Sequence, residues 1–209
     1  MDVKGRLQEQ HGASKKYSET DAAARIAGLE AEVKALKLEL AARDADIERI
    51  MNSDPLTGMS NRGYFLSELK KSISFARRSN LPLSIVMCDL DNFKFILDTY
   101  GHEVRDKVLV SFSEILTSHT RTEDTGARFG GDEFFLLLLN TTSSQAVACS
   151  ERMWETCKEL SVEGVSAKLS ASFGIAELKD GDDAESIMKK ADDALFKAKS
   201  SWPRKIASI

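Results

Sequence analysis

The sequence predicts an α/β (α+β) sandwich, a central mixed and mainly antiparallel sheet flanked by helices, with a helical coiled coil ahead of it. Three patterns carry that prediction. Apolar residues near the start recur at intervals of three and four. Farther on, apolar runs of strand length interleave with stretches of helical period, and a Gly-Gly pair separates two such runs as a hairpin would.

The elements follow in order. Residues 1–20 are polar and expected to be loosely ordered. Over 21–51, Ile26, Leu29, Val33, Leu36, Leu40, Ile47 and Ile50 fall on alternating a and d positions, with Arg43 the one break and charged residues such as Glu30, Lys34 and Lys37 between them. A stripe of two residues in seven is narrow for packing on a globular core, so a dimerising coiled coil is preferred over a helix lying on the domain's own surface. Pro55 and Gly58 in "NSDPLTGMSNR" end that helix. Ser60 or Asn61 can cap the next, whose apolar face is Phe65, Leu66, Leu69, Ile73 and Ala76. "LSIVMCDLD", 83–91, reads as a buried strand ending in two carboxylates. Val104, Val108, Leu109, Phe112 and Leu116 mark a helix, and "ARFGGDEFFLLLL" a hairpin turning at Gly130-Gly131. A helix over 143–160, a strand in "AKLSASFGIAEL" and a helix over 184–199 complete a globular domain expected at 52–209.

Composition narrows the function. The chain of 209 residues is 42% hydrophobic and carries a net charge of −4, which disfavours long nucleic acids as partners while leaving room for a local basic pocket. Cys88, Cys149 and Cys157 form no CxxC pair, so a reduced, cytoplasmic protein is expected. No window approaches the roughly 18 apolar residues of a membrane span, and the start has no apolar signal core. An upstream sensor segment would leave no trace in this sequence.

The chemistry sits in two acidic clusters. Asp89 and Asp91 close one strand, and Asp132 and Glu133 open another; if the strands are neighbours, three or four carboxylates converge at one sheet edge. A hard dication with oxygen ligands, most naturally Mg2+ (or Mn2+), would relieve their repulsion and leave positions for phosphate oxygens. "GGDE" alone favours a solvated turn, in which Asp and Glu are common. The second cluster, followed by Lys94 as a phosphate partner, moves the reading toward metal-dependent phosphoryl transfer.

"RFGGDEF" (128–134), "DPLTGMSNR" (54–62), "DLDNFKFILDTYGHEVRDKVL" (89–109), "SASFGIA" (170–176) and "ADDALFKAK" (191–199), in this order, resemble the GGDEF-domain diguanylate cyclases. The resemblance implies a nucleotidyl-cyclase-like fold that condenses two GTP into cyclic di-GMP and two pyrophosphates, as a homodimer. It implies Asp89, Asp132 and the Leu90 carbonyl as metal ligands, and Glu133 as the acid that helps deprotonate the 3'-hydroxyl. Lys94 and Lys199 would hold the triphosphate, Asp106 the guanine N1–H and 2-amino edge, with Phe93, Asp98, Gly130 and Gly131 also facing substrate. Arg121 and Asp124, in the RxxD spacing, and Arg152 on the following helix would bind cyclic di-GMP as an allosteric inhibitor. The alternative is a catalytically weak domain that serves as a receptor for cyclic di-GMP or GTP.

The chain departs from the family's pattern at four places. Leu97 stands where an Asn usually bonds guanine, Arg105 replaces a usual Gly, and Gly63 a usual Arg. In "SSWPRK" the usual phosphate-contacting Arg falls on Pro203, with Arg204 one residue on as a substitute.

Overall fold

Helix α1 (Val3–Asn52) carries the heptad pattern. No proline interrupts the chain before Pro55, and the described residues from Val3 onward are helical where loose order was expected. The seven heptad residues stand open on the single chain, 49% to 71% exposed. The computed structural model describes residues 3–166, 168–200 and 205–209, with side chains from residue 21 onward except Arg49. Pro203 and Arg204 therefore lie outside the described residues. The chain divides into two compact units, up to Met51 and from Asn52 to Ile209.

The second unit is built on one six-stranded sheet. Its strands are β1 (Ser60–Asn61), β2 (Leu83–Leu90), β3 (Thr125–Gly130), β4 (Glu133–Leu139), β5 (Ala171–Glu177) and β6 (Ile206–Ser208), in the order β1-β3-β4-β2-β5-β6. The three central pairings are antiparallel; β1 and β6 add parallel at the two edges. Neither edge strand is legible in the sequence, since two or three residues give no alternation to read.

Helices cover both faces, which explains why β2 and β4 are continuously apolar rather than alternating. Val86, Cys88, Phe134, Leu136, Phe173 and Ile175 pack against α3 (Phe93–Ser118) and α4 (Ser143–Glu159) on one side. Ile85, Met87, Phe135, Leu137 and Ala176 pack against α2 (Arg62–Ser79) and α5 (Ala184–Lys199) on the other. Asn61 caps α2, its Oδ1 accepting from Tyr64 N at 3.0 Å. Capping boxes at Thr142–Gln145 and Asp183–Ser186 start α4 and α5.

Two glycines fix the frame of the site. At Gly174 a Cβ would fall on the backbone of Ala191 and Leu195, so its absence lets α5 lie directly on β5. Gly101, at φ +81° and ψ −176°, breaks α3 into two helical segments and redirects the chain after its first two turns.

Candidate active site

Register brings the two acidic clusters together. In the β2–β4 ladder Asp89 stands directly opposite Glu133, which places both side chains on one sheet face. The hairpin turns at Gly131-Asp132 rather than at Gly130-Gly131: Gly130 pairs with Glu133 and marks an irregularity in the β3 ladder. Both glycines take positive φ values, +143° and +54°, which L side chains rarely adopt. This turn carries Asp132 to the end of β2, where its charge acts on Asp89.

The carboxylates do not all converge. Asp89 is buried and ion-pairs with Lys199 Nζ at 2.8 Å, the last residue of α5. Burial, opposed by Lys199 and reinforced by the charges of Asp132 and Asp91, pushes the Asp89 carboxyl above its ordinary value. Asp91 lies one residue past the strand, where the ladder no longer sets its direction. Its Oδ1 accepts from Ser172 Oγ at 2.7 Å, while Lys205 Nζ stands 3.1 Å from Oδ2 as an ion pair without hydrogen-bond geometry. Glu133 is exposed. Among the described residues no three His, Cys, Asp or Glu side chains form a ready-made metal cluster, which corrects the expectation of three or four converging acids.

What remains fits a hard dication. Asp89 and Asp132 would offer carboxylate oxygens and Leu90, the last residue of β2, its main-chain carbonyl, in a place where negative charge is concentrated and partly desolvated. Fewer protein ligands leave more positions for phosphate oxygens.

The other expected residues are distributed as follows. Lys94 and Asp98 are exposed on the first segment of α3, while Phe93 is buried in the core. Asp106 lies beyond Gly101 and receives two hydrogen bonds from Arg105. Arg121, Asp124 and Arg152 line one cavity of about 220 Å³. Asp124 is fixed there by two main-chain donors, Arg121 N and Leu139 N, each at 3.0 Å. Arg121 is exposed.

Sequence reasoning missed the clamp that holds the turn. Arg128 donates from Nε and Nη2 to Gly131 O at 3.1 and 2.8 Å, and from Nη1 to Asp54 Oδ1 and Oδ2 at 3.1 and 3.2 Å. Asp54 in turn accepts from Thr57 N and Oγ1 at 2.9 and 2.7 Å. The Asp-Pro-x-Thr-Gly run was the available signal, because Asp in such a turn bonds its own backbone a few residues on. Phe129 seats the same hairpin, its ring 4.2 Å from Phe135 and 5.4 Å from Phe65.

The fold and this edge define a class: a two-faced sandwich presenting acids and lysines together at one end of its sheet. Over residues 51–204 the chain matches the family described as "Diguanylate cyclase, GGDEF domain", and it belongs to that family. It is 34% identical over 173 residues to diguanylate cyclase A of Treponema denticola, covering 80% of this chain and 47% of that protein. It is 34% identical over 148 residues to diguanylate cyclase DgcS of Shewanella oneidensis, covering 71% and 49%. The chain thus spans about half the length of these curated relatives. Among solved structures, the coiled coil and GGDEF domain of DgcB from Caulobacter crescentus in complex with c-di-GMP superposes with a TM-score of 0.78 at 26% identity, over 89% of this chain and 98% of that one. SiaD from Pseudomonas aeruginosa, in complex with its activator SiaC, gives 0.69 at 30% identity, over 98% and 84%.

Burial weighs against ionisation of Asp54 but is outweighed by the bonds from Thr57 and Arg128, so its carboxyl sits below its ordinary value. A lowered acid stabilises the fold above its ordinary value and loses that contribution as pH falls through the lowered one. Asp54→Ala should therefore cost about 1–3 kcal/mol at neutral pH, and denaturant titrations should show the gap to the parent closing in acid.

Proposed function

We propose that the chain is a diguanylate cyclase: it joins two GTP into cyclic di-GMP and releases two pyrophosphates. The observation that carries this is the Asp89–Glu133 register with Asp132 at the adjoining turn, which sets acids of different exposure at one sheet end. Asp89, Asp132 and the Leu90 carbonyl would hold Mg2+ or Mn2+. Bound there, the ion would neutralise the acids and polarise the α-phosphate.

The chain's own groups supply the rest. Lys199, now paired with Asp89, and the exposed Lys94 offer positive charge to the triphosphate. Gly130 and Gly131 present no Cβ at the turn, so the nucleotide approaches main-chain atoms. Glu133, exposed opposite Asp89, would accept the 3'-hydroxyl proton. Each 3'-oxygen then attacks the α-phosphorus of the other GTP, the α–β phosphoanhydride bond breaks, and pyrophosphate carries off the electron pair. Because one domain presents one GTP, two copies must face each other, and the open heptad stripe of α1 gives them a parallel partner surface. The cavity of Arg121, Asp124 and Arg152 would return the product as an inhibitor, a guanidinium fork and a carboxylate matching the guanine edge. Three free cysteines accord with the reducing cytoplasm.

Incubation with GTP, ATP and Mg2+, followed by mass identification of products, is expected to yield cyclic di-GMP alone, with Asp132→Asn reducing turnover at least a hundredfold. Leu97, if it stands at the base, would bring only hydrocarbon there, which favours the receptor reading. A folded dimer that binds cyclic di-GMP but forms no product would leave that reading standing.

Replacing both Leu29 and Leu36 by Glu should abolish turnover at low protein concentration while the melting profile of the globular unit is kept. Undiminished turnover would remove the stalk from catalysis.

In calorimetric titrations with cyclic di-GMP, Arg121→Ala should weaken binding by about tenfold or more. Equal affinity in mutant and parent would reject the inhibitory site.

A further inference from the structure

Asp106 does not meet a ligand alone. Arg105, its neighbour on the second segment of α3, turns its guanidinium back onto the carboxylate, donating from Nε at 2.8 Å and from Nη2 at 2.5 Å. Both bonds end on Oδ1. Among the described residues no hydrogen bond reaches Oδ2, and Arg105 keeps three of its five N–H groups uncommitted. The two side chains are 28% and 38% exposed, ordered by each other yet open to solvent. Asp106 faces a cavity of about 470 Å³ whose apolar walls include Leu56, Val110 and Val162. The hydrocarbon suits the faces of a flat ring; Asp106 lines the cavity together with Glu103, Lys107, Glu114 and Glu163, and the Arg105 guanidinium stands behind it, within bonding distance of Oδ1.

We infer that Arg105 and Asp106 act as one reader of the guanine edge, with Arg105 a specificity-determining residue that donates to O6 while Asp106 accepts from N1–H and the 2-amino group. This rests on the proposal that Asp106 takes the base of GTP. Along that edge guanine presents, in order, an acceptor at O6, a donor at N1 and a donor at N2. With Oδ1 taking N1–H and Oδ2 the 2-amino group, the Oδ1 corner would lie beside O6, and that corner is where the Arg105 fork is held. Adenine presents a donor at its 6-amino group and an acceptor at N1, so it would set donor against guanidinium and acceptor against carboxylate. Two mismatches replace two matches, and a site built to hydrogen-bond an edge rejects the analogue that reverses it. The ion pair needs no partner change on binding: the guanidinium keeps Oδ1 and uses an N–H it has not committed.

The test is equilibrium binding by calorimetry of the full chain with Mg2+, using the α,β-methylene analogues of GTP and ATP, in which pyrophosphate cannot leave. For the parent, the guanine analogue is expected to bind more tightly than the adenine one. Arg105→Ala should reduce the ratio of the two affinities by about tenfold, and Arg105→Lys, which keeps the charge but loses the planar fork, should restore less than half of that loss on a logarithmic scale. Thermal melting of both variants should match the parent, since the pair is part-exposed. An unchanged ratio, or a tighter guanine analogue in Arg105→Ala, overturns the inference by making Arg105 a bystander or an obstacle. Asp106→Ala separates the two layers. If it weakens the guanine analogue while Arg105→Ala leaves the ratio unchanged, the role of Arg105 alone falls; if it has no effect, the assignment of Asp106 to the base falls as well.

Discussion

The governing constraint is a partly desolvated negative charge at the end of β2. Asp89 is buried, stands beside two other acids, and among the described residues is compensated by the ammonium of Lys199 from α5. An arrangement of that kind costs free energy and needs a counter-charge whatever its purpose. Much of the architecture maintains it. Gly174 lets α5 reach the sheet closely enough for Lys199 to arrive, the Arg128 clamp holds the turn that carries Asp132, and the β2–β4 register sets Glu133 opposite. The two cores on either side of the sheet make that register stiff, because a slip of one residue would exchange every buried side chain between them.

The distribution of the acids also separates their roles physically. Asp89 is buried and opposed by burial, Glu133 is exposed to solvent, and Asp91 is withdrawn onto Ser172 and Lys205. A carboxylate tied to a serine hydroxyl and a lysine is committed, and is poorly suited to exchange partners in a reaction cycle. One open and one buried acid on the same sheet face can divide the tasks of proton acceptance and ligand binding, since their surroundings differ so strongly.

Much of this was legible in the sequence where the signal is periodic or chemical. The core helices and strands could be read because their apolar spacing is long and regular, and Gly130 and Gly131 because positive φ is a steric requirement that glycine meets. What could not be read depended on distance along the chain. Asp54 and Arg128 are 74 positions apart and meet only once β1 is laid beside β3. Lys205 reaches Asp91 only because β6 pairs with β5. The place of Asp91 could not be read, because it lies one residue past the strand whose alternation would set its direction. Arg105 was visible as a departure, but its meaning lay in which oxygen of its neighbour it touches.

The Arg128 clamp has a mechanical corollary. One guanidinium grips the carboxylate of Asp54, two residues past the end of α1, and the peptide oxygen of Gly131 at the hairpin tip. Chain entering the globular unit at Asn52 is thus tethered, through four bonds, to the loop that aims Asp132. The segment on which the globular unit begins and the tip that carries Asp132 therefore share one guanidinium, so neither can shift against the other without loosening its bonds.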